Sequence, residues 1–248
     1  QEQRGRVLRR EEDPQLDLCY DQGHKRVGRE IHSGPGTRVT LILYDYPASP
    51  NCRKVRIVLS EKGLEYERRL IDISKGEHRS DHFLAINPHG RLPALQDEIA
   101  ADDGTHQTIS VYDSTIINEY LEDSYPDPPL FPSAPSDRAM ARLLEDWADN
   151  ILIEPAGDLY AQFVFTAESR RQKTKIEETR RRSLQLLRRL DGVLSDGRPY
   201  LLGGYTIADA AMTPAMAYLT QFGTPIAEVI PRVFDWFVRL RSRDSFQA

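Results

Sequence analysis

Residues 43–63 read LYDYPASPNCRKVRIVLSEKG, and this segment runs from an apolar strand into a helix. Apolar side chains over residues 40–44 predict a short buried strand. Ser49 is a favoured N-cap residue and Pro50 suits the first helical position, so a helix is predicted to begin there. Gly63 is predicted to end it. The apolar residues that repeat at helical spacing between these ends are Val55, Val58 and Leu59.

The residues that follow extend this start into a small mixed α/β unit. A second strand is predicted over residues 66–71, followed by a short helical or irregular piece. The run NPHGRLPAL at residues 87–95 predicts a turn and then a third strand. Residues 102–104 carry a hairpin signal, which makes residues 108–112 the fourth strand, and a helix is predicted to start at Ser114. The predicted order is therefore βαβαββα.

Composition divides the chain into four parts. Residues 1–38 are charged and show no helix or strand period, so they are predicted to be a disordered extension, natural or introduced for expression. The mixed α/β unit occupies residues 39–125. Five prolines over residues 126–135 predict a linker, because proline removes a donor and disfavours helix in the preceding residue. Residues 136–248 are predicted to be all helical. Their apolar stripes are Leu143, Trp147 and Ile151, and Ser183, Leu187, Leu190 and Leu194.

Bulk composition limits the partners of the chain. A net charge of −5 over 248 residues argues against nucleic acid as the main partner, because phosphate binding requires a basic surface. No apolar run approaches the roughly 20 residues that cross a membrane, so no membrane partner is expected. Cys19 and Cys52 are too few for a disulfide scaffold, and a reduced, cytoplasmic location is expected. The six histidines and two cysteines lack metal-ligand spacing, so no metal is expected.

Three motifs in this order resemble the cytosolic glutathione transferase superfamily. They are residues 43–63, the run at residues 87–95 and the sequence VYDS at residues 111–114, and the resemblance covers about residues 39–248. The resemblance implies a thioredoxin-like βαβαββα domain that binds glutathione, followed by an α-helical bundle domain. It further implies that glutathione is the co-substrate, that a small-molecule electrophile is the second substrate, that the role is detoxification, and that the chain forms a homodimer.

Ser49 is the candidate catalytic residue. A free thiol has a pKa near 8.5, and lowering it by two units requires roughly 2.7 kcal/mol of preferential thiolate stabilisation. A hydroxyl donor supplies about 1.5–3 kcal/mol to a charged acceptor, and a helix N-terminus adds up to about 1 kcal/mol. Ser49 stands at such a terminus, where the amides of Asn51 and Cys52 are first-turn donors. In serine-type transferases the matching residue activates glutathione; the alternative is that Ser49 is only an N-cap.

The other candidate residues are assigned to glutathione by the resemblance. Leu92 and Pro93 match a cis-proline turn that would aim the backbone of Leu92 at the peptide of glutathione. Asp113 and Ser114 match the acidic-Ser pair that binds the γ-glutamyl end, although the family more often has Glu, which is one methylene longer. The alternative for Asp113 is a plain helix cap. For Arg91 two roles are equally compatible with the sequence. It binds the glycyl carboxylate of glutathione, or it is an ordinary exposed arginine.

Two other functions stay open at this point. Ser49 and Cys52 occupy the place of a glutaredoxin Cys-Pro-x-Cys motif with serine first, which suggests a glutathione-dependent disulfide or peroxide oxidoreductase. A non-catalytic, transferase-like binding module is the third interpretation. The aromatic residues Tyr160, Phe163 and Phe165 line the acceptor-substrate site or belong to the core. Thr206 and Asp209 are predicted to form a capping box with a folding role.

Overall fold

The computed structural model of the chain describes residues 40–100 and 105–248. The predicted extension 1–38 and the predicted hairpin turn at residues 102–104 therefore lie outside the described residues. The strands are β1 Thr40–Asp45, β2 Tyr66–Leu70, β3 Ala94–Ala100 and β4 His106–Tyr112. The helices are α1 Pro50–Glu61, α2 Asp81–Ile86, α3 Ser114–Ser124, α4 Pro135–Trp147, α5 Ile153–Tyr160, α6 Lys173–Val193, α7 Ile207–Gln221, α8 Ile226–Val229 and α9 Pro231–Arg241.

Short segments of 3-10 and π-helix complete the chain. The 3-10 turns are Glu77–Arg79, Glu168–Arg170 and Asp244–Gln247. Two π-helical segments, Ala148–Leu152 and Ala161–Phe165, flank α5 on both sides. π-helical turns are rare and occur frequently at functional sites, which makes the residues around α5 candidates for a functional role.

The four strands form one mixed sheet in the order β2-β1-β3-β4. β1 and β2 are parallel, because α1 crosses between them, whereas β3 pairs antiparallel with both β1 and β4. The predicted order βαβαββα is confirmed, as is the all-helical region that follows it.

The register of the sheet aligns three chain segments that lie far apart in the sequence. Tyr44 near the end of β1 pairs with Ala94 at the start of β3, and Ala94 pairs with Tyr112 at the end of β4. Neighbouring strands are about 4.8 Å apart. The residues just beyond this row therefore leave the sheet at one edge, side by side.

The helical region packs around α7, which is buried along nearly its whole length. Thr206 and Asp209 form the predicted capping box, in which the Thr206 amide donates to Asp209 at 3.0 Å. The other Asp209 oxygen accepts from the indole of buried Trp236 at 2.8 Å and from the Leu201 amide at 3.2 Å. The Asp209 carboxylate therefore connects the start of α7 to Trp236 of α9 and to Leu201 in the loop that precedes α7.

The two predicted apolar stripes of the helical region have different environments. The α6 stripe is buried, at Ser183, Leu187, Leu190 and Leu194. The stripe at Leu143, Trp147 and Ile151 is not core, because Leu143 is 61% exposed and Ile151 is 39% exposed. Met140, 46% exposed, extends it by one turn along α4. Periodicity marks a helix face as apolar, but it does not say what that face packs against.

Candidate functional site

The turn from β1 into α1 places Ser49 at the N-terminus of α1. Ser49 has extended backbone angles, and its Oγ accepts a hydrogen bond from the Cys52 amide at 3.3 Å. The Ser49 amide donates to the Tyr46 carbonyl at 2.9 Å, which closes the turn. The predicted N-cap is therefore confirmed. The Cys52 amide, which we expected to be a spare first-turn donor, is instead used by Ser49 itself.

Cys52 lies directly under this turn and is fully buried. Its Sγ accepts from the Tyr46 amide at 3.5 Å. Burial, with the nearby charge of Asp45, raises the pKa of the Cys52 thiol to about 12. Asp45 is itself buried and ion-paired with Arg56 at 2.6 Å and with Arg68. Cys52 is therefore a neutral packing residue rather than a thiolate.

The segment between α2 and β3 is a turn organised by Asn87. Its buried side chain donates to the Arg91 carbonyl at 2.7 Å and accepts from the His89 amide at 3.0 Å. Gly90 has φ +59, and a Cβ there would lie 2.8 Å from the His78 carbonyl, so glycine is required. The turn ends in a cis peptide bond between Leu92 and Pro93, as the resemblance implied.

The backbone of Leu92 is the part of this turn that faces the sheet edge. Leu92 is half-buried and Pro93 is buried, whereas Arg91 is exposed. Within residues 40–100 and 105–248, the amide and carbonyl of Leu92 have no hydrogen-bond partner. Strand-like pairing with an extended peptide would satisfy both groups.

Asp113 joins β4 to α3 in a strained conformation. Its φ is +74, and it is the only non-glycine residue with positive φ in the described part of the chain. Its carboxylate caps α3 by accepting from the Thr115 amide at 3.0 Å. Ser114 begins α3 and is buried, while Asp113 is exposed. Strain of this kind is concentrated at functional sites, so Asp113 remains a candidate site residue as well as the observed cap.

The register of the sheet brings the three motifs together. Tyr44, Ala94 and Tyr112 pair side by side across β1, β3 and β4. Ser49 follows Tyr44, the Leu92–Pro93 bond precedes Ala94, and Asp113 follows Tyr112, so all three motifs lie beyond the same end of these strands. Asn51 and Arg91 are exposed on the borders of this arrangement. No cluster of three or more metal-ligating side chains occurs in the part of the chain that the structure describes.

Two further groups at this edge were not found from the sequence. The Tyr218 hydroxyl on α7 donates to the Ala48 carbonyl at 2.9 Å, one residue before Ser49. Buried Lys54 on α1 bonds to the hydroxyl of Thr115, next to Ser114, at 3.0 Å. The only sequence signal for Lys54 was a charge on the apolar face of α1, where uncompensated charge is costly.

The aromatic residues after α5 divide between core and surface. Tyr160 packs on Tyr218 with ring centroids 4.9 Å apart, and Phe165 contacts Tyr160 at 5.5 Å while remaining 73% exposed. Phe163 instead stacks on Phe222 at 5.1 Å. A connected set of aromatic side chains therefore runs from the Ser49 turn through buried Tyr218 and half-buried Tyr160 to Phe165 at the surface.

Comparisons with known proteins agree with this fold. The profile of the glutathione S-transferase N-terminal domain matches residues 43–129, and that of the C-terminal domain matches residues 153–244. A probable glutathione S-transferase of Oryza sativa subsp. japonica is 30% identical over 223 residues, 83% of this chain and 87% of that protein. The chain belongs to the glutathione S-transferase family. Membership of this family supports a glutathione-dependent activity of the transferase or isomerase type, and the chain has the fold of the family.

Other relatives match over shorter regions or in three dimensions. Maleylacetoacetate isomerase of Pseudomonas aeruginosa is 42% identical over 102 residues, 40% of this chain. This chain spans 44% of that relative, and 40% and 51% of two further curated relatives that it matches. A Burkholderia graminis glutathione transferase crystallised with two glutathione molecules per subunit has a TM-score of 0.69 and 27% identity, covering 84% of this chain and 85% of that one. None of the described helices is both long and apolar enough to cross a membrane.

Proposed function

We propose that this protein is a glutathione transferase in which Ser49 stabilises the glutathione thiolate for attack on an electrophilic small molecule. One observation carries the proposal: the pairing of Tyr44, Ala94 and Tyr112 aligns the Ser49 turn, the Leu92 backbone and the strained Asp113 at one sheet edge. An extended tripeptide presents a thiol in its middle, a peptide group and a γ-glutamyl end. The Ser49 turn, the Leu92 backbone and Asp113 offer one complementary group each to the thiol, the peptide group and the γ-glutamyl end, in that order.

The Ser49 hydroxyl is suited to the thiolate because its two roles do not compete. A hydroxyl has two acceptor lone pairs and one hydrogen. Its oxygen accepts from the Cys52 amide, and within the described residues its hydrogen has no acceptor. That hydrogen would donate to a sulfur anion at the positive end of α1, where the helix dipole adds to the attraction. The N-cap and the catalytic role of Ser49 are therefore compatible.

The ends of glutathione would be held by the other proposed residues. The backbone of Leu92, set by Pro93, pairs with the peptide, and Asp113 accepts from the γ-glutamyl ammonium. Ser114 offers a first-turn amide and a hydroxyl to the γ-glutamyl carboxylate, as helix N-termini do for anions. Arg91 and Asn51 are exposed on the borders of the site, where Arg91 would meet the glycyl carboxylate and Asn51 would bind through its first-turn amide.

The electrophile would bind against the accessible end of the aromatic set, at Tyr160 and Phe165. Buried Tyr218 connects this end to the residue before Ser49, near which the thiolate would lie. Phe165 is 73% exposed at its far end, and it follows a π-helical segment. Ligand sites are lined mainly by apolar and aromatic side chains, which suits these two residues to an apolar electrophile.

The structure favours this reaction over disulfide exchange. Exchange through Cys52 would require a thiolate, but Cys52 is buried and its pKa is raised to about 12. Cys52 is also unpaired, which fits a reduced, cytoplasmic setting.

The second partner in the proposal is another copy of this chain. Met140, Leu143 and Ile151, here called the α4 stripe, are exposed apolar residues on α4 and on the π-helical segment after it, and Ile116 of α3 is also 55% exposed. Glu119 and Arg142 join α3 to α4 at 2.6 Å and place both helices on one side of the molecule. An apolar face shared by two helices fits a self-complementary twofold contact.

Calorimetric binding of glutathione tests the site. Asp113→Asn keeps an N-cap side chain and tolerates positive φ, but it removes the charge, so the dissociation constant should rise about tenfold to a hundredfold. Asp137→Asn, which removes an exposed first-turn charge of α4, is the matched control and should bind like the wild type. Wild-type protein that binds no glutathione would overturn the proposal. If the wild-type protein binds glutathione, a panel of electrophiles, hydroperoxides and mixed disulfides will identify the reaction.

A further inference from the structure

Lys54 is a lysine with almost no contact with solvent. Its side chain is 1% exposed, and its Nζ donates to Glu145 at 3.0 Å, to Asp149, and to the Thr115 hydroxyl at 3.0 Å. Glu145 and Asp149 come from the helical region, whereas Lys54 and Thr115 come from the thioredoxin-like region. These four residues, here called the Lys54 bridge, connect the two regions through buried charge.

Stability alone does not account for the Lys54 bridge. Taking charges out of water costs several kcal/mol per ion, and buried pairs are often no more stabilising than apolar residues of similar size. The bridge is also incompletely satisfied, since Glu145 Oε2 is buried without a partner among the described residues. The same holds for Oδ1 of Asn118, whose amide donates to Glu145 at 3.1 Å. Burial raises the pKa of Glu145, against the opposing effect of the Lys54 charge.

Thr115 is the residue that this bridge holds in place. Its hydroxyl accepts from Lys54 and donates to Asp149 at 3.1 Å, so the hydroxyl has one orientation. Its amide donates to the Asp113 carboxylate at 3.0 Å. A continuous path therefore runs from Asp149, through Thr115, to the strained residue of the proposed glutathione site.

Lys54 also belongs to the other half of that site. Ser49 is the N-cap of α1, and Lys54 lies on the same helix, just over one turn after Ser49. The bridge thus fixes the N-terminus of α3 against α1, the two helix ends that would hold the γ-glutamyl end and the thiolate. A change in the bridge would move one relative to the other, and small displacements of binding groups are costly.

We propose that Lys54, Asp149 and Thr115 are positioning residues that set Asp113 for the α-amino-acid end of glutathione. This inference rests on the proposed function, because it assigns a role at the same site. It gives the helical region a part in glutathione binding through Asp149, which acts on Asp113 by way of Thr115.

Thr115 substitutions test the inference with little risk to folding. Thr115→Val removes the hydroxyl at nearly constant volume, and glutathione should bind about fivefold to tenfold more weakly, as expected for one lost hydrogen bond. Thr115→Ser restores the hydroxyl and should restore the affinity. Asp149→Asn should resemble Thr115→Val. The control is Glu119→Gln, which breaks an exposed ion pair between the same two helices and should leave the affinity unchanged.

A double-mutant cycle separates positioning from a general structural effect. If the bridge acts through Asp113, Thr115→Val should change glutathione affinity less than twofold in an Asp113→Asn background. Equal losses in both backgrounds, or wild-type affinity in Thr115→Val, would overturn the positioning role and leave the proposed function intact. Failure of the wild-type protein to bind glutathione would overturn both.

Discussion

Replacement of Ser49 by alanine separates its catalytic role from its capping role. Loss of an N-cap side chain costs about 1 kcal/mol of stability. Loss of a donor to a charged acceptor costs about 1.5–3 kcal/mol, which corresponds to roughly a tenfold to hundredfold lower kcat/KM at 1.4 kcal/mol per decade. The same loss should raise the pKa of the bound glutathione thiol by one to two units, at about 1.4 kcal/mol per unit.

Ser80 provides the matched control for this experiment. It caps α2 by accepting from the Phe83 amide at 3.3 Å, the same distance at which Ser49 accepts from Cys52. Ser80→Ala should therefore lower the melting temperature as Ser49→Ala does, and it should leave conjugation unchanged. The assay is the pH profile of kcat/KM with an electrophile, together with calorimetric glutathione affinity, which should change little. A Ser49→Ala variant with the wild-type rate and thiol pKa would refute the assignment of Ser49.

Three other predictions concern assembly, folding and the neighbouring cysteine. Leu143→Glu on the α4 stripe should convert dimer to monomer in sedimentation, whereas Val229→Glu, at an exposed apolar position elsewhere, should not; an unchanged mass would exclude this face. Burial raises the pKa of Asp209 from 3.8 to about 6, so its protonation favours the folded state. Stability from this group, up to about 3 kcal/mol, should be present below pH 4 and lost as the pH rises to 6. Urea unfolding should show this slope, and Asp209→Asn should remove it; a slope that persists would contradict the assignment. Cys52→Ala should leave conjugation nearly intact, and loss of activity in a folded variant would favour disulfide chemistry.

Local signals in the sequence were sufficient for the elements that carry the site. The two ends of α1 are defined by Ser49 and Pro50 at its start and Gly63 after its last turn. These signals span only a few residues, so the start of α1 was predictable without knowledge of the tertiary structure. The cis bond before Pro93 came instead from the resemblance of a whole motif, because a Leu-Pro pair taken alone is mostly trans. The capping box of Thr206 and Asp209 was likewise local, since its members are three residues apart.

Tertiary structure alone decided the features that depend on distant residues. The positive φ of Asp113 has no composition signal, because aspartate rarely adopts it without surrounding structure that imposes it. Lys54 meets Glu145 across 91 residues and Asp149 across 95, and no periodicity in either helix specifies such a pair. The predicted stripe at Leu143, Trp147 and Ile151 has a helical spacing like that of the buried α6 stripe, so the sequence could not show that Leu143 and Ile151 are exposed. Hydrophobic spacing defines a face of a helix, while the packing of the whole chain determines what covers that face.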